Sequence, residues 1–158
     1  MKKALISQYQ SALNMLISGI EKCTEELWND ENSGNPYWRI VYHALYYTHF
    51  YTAKNPEEFK FWKHHIANYH QLGETSFDGY PIVITRIYTK AELQDYAESI
   101  YYNLDNLVQH LNPKLNCEFD WLPMSELELH IYNIRHLQHH IGQLVDRLKN
   151  SGLTVSWL

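Results

Sequence analysis

The fold of this chain is decided by residues 125–150, SELELHIYNIRHLQHHIGQLVDRLKN. The stretch opens with a capping box, in which Ser125 and Glu128 satisfy unpaired backbone N–H groups at the start of a helix. Apolar residues then recur at the three- and four-residue steps of an α-helix, namely Leu127, Ile131, Ile134, Ile141, Val145 and Leu148. We therefore predict one long amphipathic helix that closes at Asn150-Ser151-Gly152.

The same stretch contains His136 and His140, which are four residues apart. Residues at this spacing are neighbours on one helix face, with Cβ atoms about 5–6 Å apart, so both imidazoles can reach one metal ion. On the helical wheel, His140 lies nearer the apolar stripe than His139 does, and His136 lies at its margin. A third candidate is His43, in an aromatic segment that has no charged residue from position 40 to 53.

Three neutral imidazoles can bind a divalent transition metal and leave positions open for water or substrate. A buried neutral histidine needs either hydrogen-bond partners or a metal, which makes His43 a candidate. The spacing alone does not require a metal, because the chain has ten histidines and such pairs arise by chance. The alternative is a set of surface and core histidines with ordinary hydrogen-bond partners.

Three further helices are predicted from periodicity and capping signals, over residues 3–28, 35–52 and 89–111. Asn35 and Pro36 suit the N-cap and first position of the second helix, and Thr89 with Glu92 forms another capping box. A short helix is expected over residues 59–66, and residues 70–88 are expected to form a long extended connection. The fold class is therefore all-α, a four-helix bundle with a long crossover between helices 2 and 3.

Length and composition fit one domain over residues 1–158, with the apolar tail from Leu153, including Trp157, packed back on it. The net charge of −5 arises from mixed signs, which argues against nucleic-acid binding. No apolar window is long enough for a membrane span, and residues 4–20 are too polar for a signal peptide. Cys23 and Cys117 are expected to be free thiols in a reducing cytoplasm.

Two stretches together resemble a known family: residues 35–43, NPYWRIVYH, and, after the long crossover, residues 135–144, RHLQHHIGQL. This pattern is similar to that of the DinB-like superfamily, which includes the damage-inducible DinB proteins and the bacillithiol transferase-like proteins. The resemblance covers the whole chain, with one histidine on helix two and H-x-x-x-H-x-G-Q on helix four.

The resemblance implies a four-helix bundle that binds one divalent metal ion, typically nickel or zinc, through three histidines. Carried over by position, the ligands are His43, His136 and His140, while His139 is not a ligand. Family members are often homodimers, and the aromatic second helix offers a surface for such contact. Some relatives are metal-dependent transferases that act on small thiols such as bacillithiol, mycothiol or glutathione.

The expected chemistry is activation of an external small thiol at the metal, followed by attack on an electrophile. Hydrolysis by metal-bound water is the close alternative. The absence of H-E-x-x-H disfavours a zincin-type protease. Two non-catalytic alternatives remain: a metal-binding stress-response protein, and a structural or interaction bundle without metal.

Other side chains share the expected site faces, namely Arg39, Tyr46, Tyr47, Asn133 and Gln143. Arg39 could hold an anionic substrate or be a solvated residue at the helix start. The two tyrosines could donate to a ligand or pack in the core. Gln143 could orient a metal-binding histidine through a hydrogen bond.

Overall fold

The computed structural model describes residues 1–32 and 34–156, and this part of the chain is all-α. Five helices follow one another: α1 (Lys2–Lys22), α2 (Glu25–Asn29), α3 (Tyr37–Phe50), α4 (Lys90–Leu107) and α5 (Glu126–Asn150). The described residues contain no β-strand, only two isolated antiparallel bridges. The predicted fold class is confirmed at the level of an all-α protein.

The four long helices pack in pairs around one core. α1 lies against α4 and α5, α3 lies against the same two helices, and the short α2 packs on α3. α3 contributes the bulky side chains of Tyr37, Trp38 and Tyr42, which are almost fully buried. Much of the aromatic surface that suggested a dimer face is therefore covered by the chain itself, and the homodimer stays a prediction.

Both predicted capping boxes are present. The Thr89 side chain accepts a hydrogen bond from the backbone N–H of Glu92, whose carboxylate accepts one from the backbone N–H of Thr89. Ser125 and Glu128 do the same at the start of α5. Each box satisfies helix-end donors that would otherwise lack partners, and this explains why the starts of α4 and α5 were predictable.

The prediction of one helix over residues 3–28 is wrong, because the helix is interrupted between α1 and α2. Cys23 has an extended backbone, and the Thr24 hydroxyl accepts a hydrogen bond from the backbone N–H of Leu27 at 3.2 Å. Glu25 and Glu26 place negative charge in the first turn of α2, where the helix dipole favours it. A new helix start is therefore more stable here than continuation of α1.

The short helix predicted over residues 59–66 is also wrong, and residues 51–89 form turns and extended segments throughout. The Asn55 side chain accepts the backbone N–H of Glu58, which closes a turn instead of a helix. Trp62 then stacks on Tyr96 with ring centroids 4.6 Å apart. Packing of this connection on the helices outweighs its local helix propensity. The extended connection predicted over residues 70–88 is confirmed.

The buried face of α5 differs from the predicted apolar stripe. Ile131 is exposed, whereas His130 and Asn133 are buried. His130 Nδ1 lies 3.1 Å from the Tyr9 hydroxyl, and Asn133 Nδ2 donates to the carbonyl of Thr48 at 2.9 Å. Buried polar groups with such partners can belong to a core. A stripe drawn through the apolar residues alone therefore does not coincide with the buried face of α5.

Smaller expectations fall on the ends of the chain. Cys23 and Cys117 are free thiols, and the tail residues Leu153 and Val155 pack against the core. The expectation for Trp157 lies outside the described residues. In the described part of the chain, no helix is long and apolar enough to cross a lipid bilayer.

Buried His130 predicts how stability depends on pH. Burial, and after it the charge of His110, lower the pKa of His130 to about 4, whereas the pKa of the same imidazole in the unfolded chain is about 6.5. Between these values the unfolded state binds more protons, so acid destabilises the folded state. In buffer that contains a metal chelator, the unfolding free energy of wild type should fall more steeply between pH 6.5 and 4 than that of His130→Gln. The two slopes should differ by about 1.4 kcal/mol per pH unit.

Denaturant unfolding at several pH values measures both slopes. Above pH 6.5 the two curves should run parallel, because His130 is neutral in both states there. Equal slopes below pH 6.5 would contradict a buried, neutral His130.

Candidate metal centre

The pairing of α3 with α5 brings the three predicted histidines together. His43 lies in the middle of α3, and His136 and His140 lie one turn apart on α5. One nitrogen of each ring lies within 4.8 Å of the other two. His140 is buried and His139 is exposed, as the helical wheel predicted.

The nitrogens that meet are the three Nε2 atoms. His136 Nε2 lies 3.1 Å from His43 Nε2 and 3.1 Å from His140 Nε2. Two imidazole nitrogens bound to one ion at 2.0–2.1 Å are about 2.9 Å apart at a right angle and about 3.4 Å apart at the tetrahedral angle. Both of these separations fall between the two values, and the third pair lies within 4.8 Å, so the three histidines could hold a small divalent ion.

Hydrogen bonds at the far side of two rings fix their tautomers. His43 Nδ1 donates to the carbonyl oxygen of His70 at 2.6 Å, and His140 Nδ1 donates to Oε1 of Gln143 at 2.9 Å. An oxygen acceptor at Nδ1 requires the proton there, so the Nε2 atom of each ring carries a lone pair. Metal-binding histidines commonly have this arrangement.

The surroundings of His136 also favour a metal ion between the three rings. Its Nδ1 atom is buried and has no hydrogen-bond partner among the described residues. A proton on Nε2 of His136 can serve one neighbouring lone pair well but not both. A proton on Nδ1 instead leaves three lone pairs facing one another. A cation between the three Nε2 atoms removes this conflict, and three such nitrogens can hold one.

The electrostatics keep all three rings neutral. Burial, and after it the charge of His140, lower the pKa of His43 to about 3, although the hydrogen bond to the His70 carbonyl acts the other way. Burial and His140 lower the pKa of His136 to about 4, and burial lowers the pKa of His140. Neutral imidazole is the form that binds metal ions, so the site is available at neutral pH without a proton to displace.

An aromatic wall borders the three rings. The ring of Tyr47 lies 4.9 Å from that of His43 and 5.5 Å from that of His136, between centroids. Tyr132 lies nearly parallel to His136, with its centroid 6.5 Å away. These rings limit the space around the ligands and give it an apolar side.

The remaining candidate residues have different roles. Gln143 orients His140, and its amide nitrogen lies 3.3 Å from the exposed His139. Tyr46 is core packing, stacked on His70 at 3.9 Å. Arg39 is half-buried, and its guanidinium donates to two backbone carbonyls.

Sequence reasoning did not identify the His70 carbonyl as the partner of His43. A backbone oxygen on an irregular connection leaves no signal in the residue pattern. The bond became visible only when the path of residues 51–89 across α3 was known.

Comparison with known proteins offers no function to transfer. No protein-family model, curated protein or solved structure matches the chain. The resemblance to the DinB-like superfamily therefore stays a prediction, and the site stands on its own geometry and chemistry.

The site predicts a measurable affinity for one divalent ion per chain. Wild-type protein, prepared without a histidine tag and stripped with chelator, should bind one equivalent of Zn²⁺ or Ni²⁺ in calorimetric titration. A free metal concentration 100-fold above the dissociation constant should stabilise the fold by about 2.7 kcal/mol. His43→Ala and His136→Ala remove ligands, so both should lose this binding and stabilisation.

His139→Ala is the matched control, because His139 is an exposed neighbouring histidine on the same helix that does not belong to the cluster of three. It should bind metal as wild type does. Equal binding by His136→Ala and wild type would mean that the metal binds elsewhere.

Proposed function

We propose that the chain binds one divalent transition metal through His43, His136 and His140 and uses it to transfer a small thiol to an electrophile. The observation that carries the proposal is the convergence of the three Nε2 atoms. Nickel and zinc are the proposed ions, since both accept imidazole ligands and leave coordination positions for a substrate.

The charge of the site favours an anionic substrate atom. Three neutral imidazoles leave the charge of a divalent ion uncompensated in a half-buried position. The described partners of the rings are a backbone carbonyl and an amide oxygen, neither of which supplies negative charge. A thiolate in an open position would supply it, and a bound divalent ion lowers the pKa of a coordinated thiol.

The transfer step needs no protein-derived nucleophile. The thiol proton leaves to solvent, the thiolate sulfur forms a bond to the electrophilic carbon, and the leaving group departs with its electron pair. His43 and His140 stay in fixed tautomers throughout, held by the His70 carbonyl and Gln143. Tyr47 presents an apolar face on which the electrophile can pack.

Hydrolysis is less well supported than thiol transfer. Activation of water commonly uses a carboxylate as general base, and the hydrogen-bond partners described for the three histidines include none. A thiol is more acidic than water, so a divalent ion held by His43, His136 and His140 would favour its thiolate form without a general base.

The proposal extends to the whole chain. We interpret the four long helices as a four-helix bundle of the DinB-like type, with residues 51–89 as the crossover between its second and third helices. The packing of α1 and of α3 on both α4 and α5 supports this interpretation. A cytoplasmic homodimer is part of the same proposal.

Turnover tests the proposal directly. Metal-loaded wild type is incubated with 1-chloro-2,4-dinitrobenzene and one thiol at a time: glutathione, bacillithiol or mycothiol. It should accelerate thioether formation and chloride release with at least one of the three thiols. His136→Ala should fall to the rate of the uncatalysed reaction, because it lacks a ligand. His139→Ala should retain the wild-type rate.

A buffer control with the same metal concentration measures catalysis by free ions. If fully loaded wild type gives no rate above that control with any of the three thiols, this electrophile class is not a substrate and thiol transfer loses its support. Stoichiometric metal binding in the same sample would then favour a non-catalytic metal-binding protein.

A further inference from the structure

A short stretch of the long connection, residues 70–73, lies along the first half of α3, and we call it the strap. Three side chains spaced four residues apart, Asn35, Arg39 and His43, donate hydrogen bonds to its backbone carbonyls. Together they use all four consecutive carbonyl oxygens. Two residues of α3 and one just before it therefore fix the path of a segment that has no regular structure of its own.

Arg39 makes the central contacts of the strap. Its Nη2 atom donates to the carbonyl of Gln71 at 2.6 Å and to that of Gly73 at 2.8 Å. Gln71 directly follows His70, whose carbonyl accepts the proton of His43 Nδ1 at 2.6 Å. The guanidinium thus holds the peptide next to the one that orients a predicted metal ligand.

We propose that Arg39 is a positioning residue for the metal centre, which it serves by holding the strap so that the His70 carbonyl stays on Nδ1 of His43. A neutral imidazole has two tautomers, and the partner at one nitrogen decides which nitrogen is left with the lone pair. Without the carbonyl, the proton can move to Nε2, where it blocks metal binding. The metal part of this inference rests on the proposed function, whereas the tautomer part applies to the metal-free protein.

The burial of Arg39 supports a positioning role over a surface role. Its Nε atom is buried and lacks a hydrogen-bond partner in the described part of the chain. Burial also lowers the pKa of this guanidinium, which shows that the surroundings disfavour its charge. Removing a guanidinium from water costs free energy, and two backbone carbonyls compensate for it only in part. Fixing the strap explains why an arginine lies here.

Asn35 and the side chain of Gln71 make the remaining contacts of the strap. Asn35 Nδ2 donates to the carbonyl of Leu72 at 2.8 Å, instead of capping α3 as the sequence predicted. The side chain of Gln71 bonds to Asn68 and to the backbone N–H of Phe77. These contacts hold the strap beside α3, and Arg39 sets its register at His70.

The test compares Arg39→Met, which keeps the length of the side chain and removes its donors, with two other variants. Arg86→Met is the matched control, since Arg86 lies on the same connection and pairs with Glu92 at the surface. Arg39→Lys restores a donor that can reach one carbonyl. Circular dichroism and thermal melting identify which variants are folded.

Two readouts are measured on the folded proteins. Long-range ¹H–¹⁵N spectra of the histidine rings, recorded on metal-free protein in buffer with a chelator, report the tautomer of His43. Competition with a chromophoric chelator gives the Zn²⁺ affinity. Wild type and Arg86→Met should show one Nδ1–H tautomer of His43 and affinities within about twofold of each other, as expected for removal of a surface pair. Arg39→Met should show both tautomers and bind Zn²⁺ about 10–100-fold more weakly. Arg39→Lys should fall between the two.

A single Nδ1–H tautomer in Arg39→Met, with a Zn²⁺ affinity within about twofold of wild type, would overturn the inference. If Arg39→Met does not fold, Arg39→Lys decides, because it keeps only one of the two carbonyl contacts. A mixture of tautomers with weaker Zn²⁺ binding in that variant supports the inference, and the wild-type tautomer and affinity overturn it. If wild type itself binds no Zn²⁺, the proposed function fails, and the tautomer comparison still tests the role of Arg39.

Discussion

The contact between α3 and α5 is the constraint on which the site depends, because it brings His43 of one helix to His136 and His140 of the other. Asn133 fixes the register of this contact by donating across the core to the carbonyl of Thr48. Both groups are fully buried, and a buried donor left unpaired costs about 1–3 kcal/mol. Sliding one helix along the other would break this bond and separate the three Nε2 atoms.

The long connection is as important to the site as the helices. It supplies the carbonyl that orients His43, and its aromatic residues pack on α3 and α4, as the stack of Trp62 on Tyr96 shows. Burial keeps the three imidazoles neutral, and neutral imidazole is the form that binds a metal ion. The same burial therefore prepares the ligands and disfavours their charged forms.

The sequence predicted those features that depend on local chemistry. The starts of α4 and α5 followed from capping boxes at Thr89 and Ser125, and the deeper burial of His140 than of His139 followed from helical geometry. Features that depend on tertiary contacts were not predictable. The exposed position of Ile131 reflects buried polar groups elsewhere on α5, and the orientation of His43 depends on a backbone oxygen of the connection.

The central claim is that the three Nε2 atoms are ligands of one ion, and a crystal structure of the metal-loaded protein with anomalous data at the metal edge tests it most directly. We expect a single anomalous peak bonded to Nε2 of His43, His136 and His140 at about 2.0–2.1 Å, with Nδ1 of His43 still on the His70 carbonyl. A peak bound through other atoms, or no peak between α3 and α5 in a protein that holds one equivalent of metal, would contradict the account.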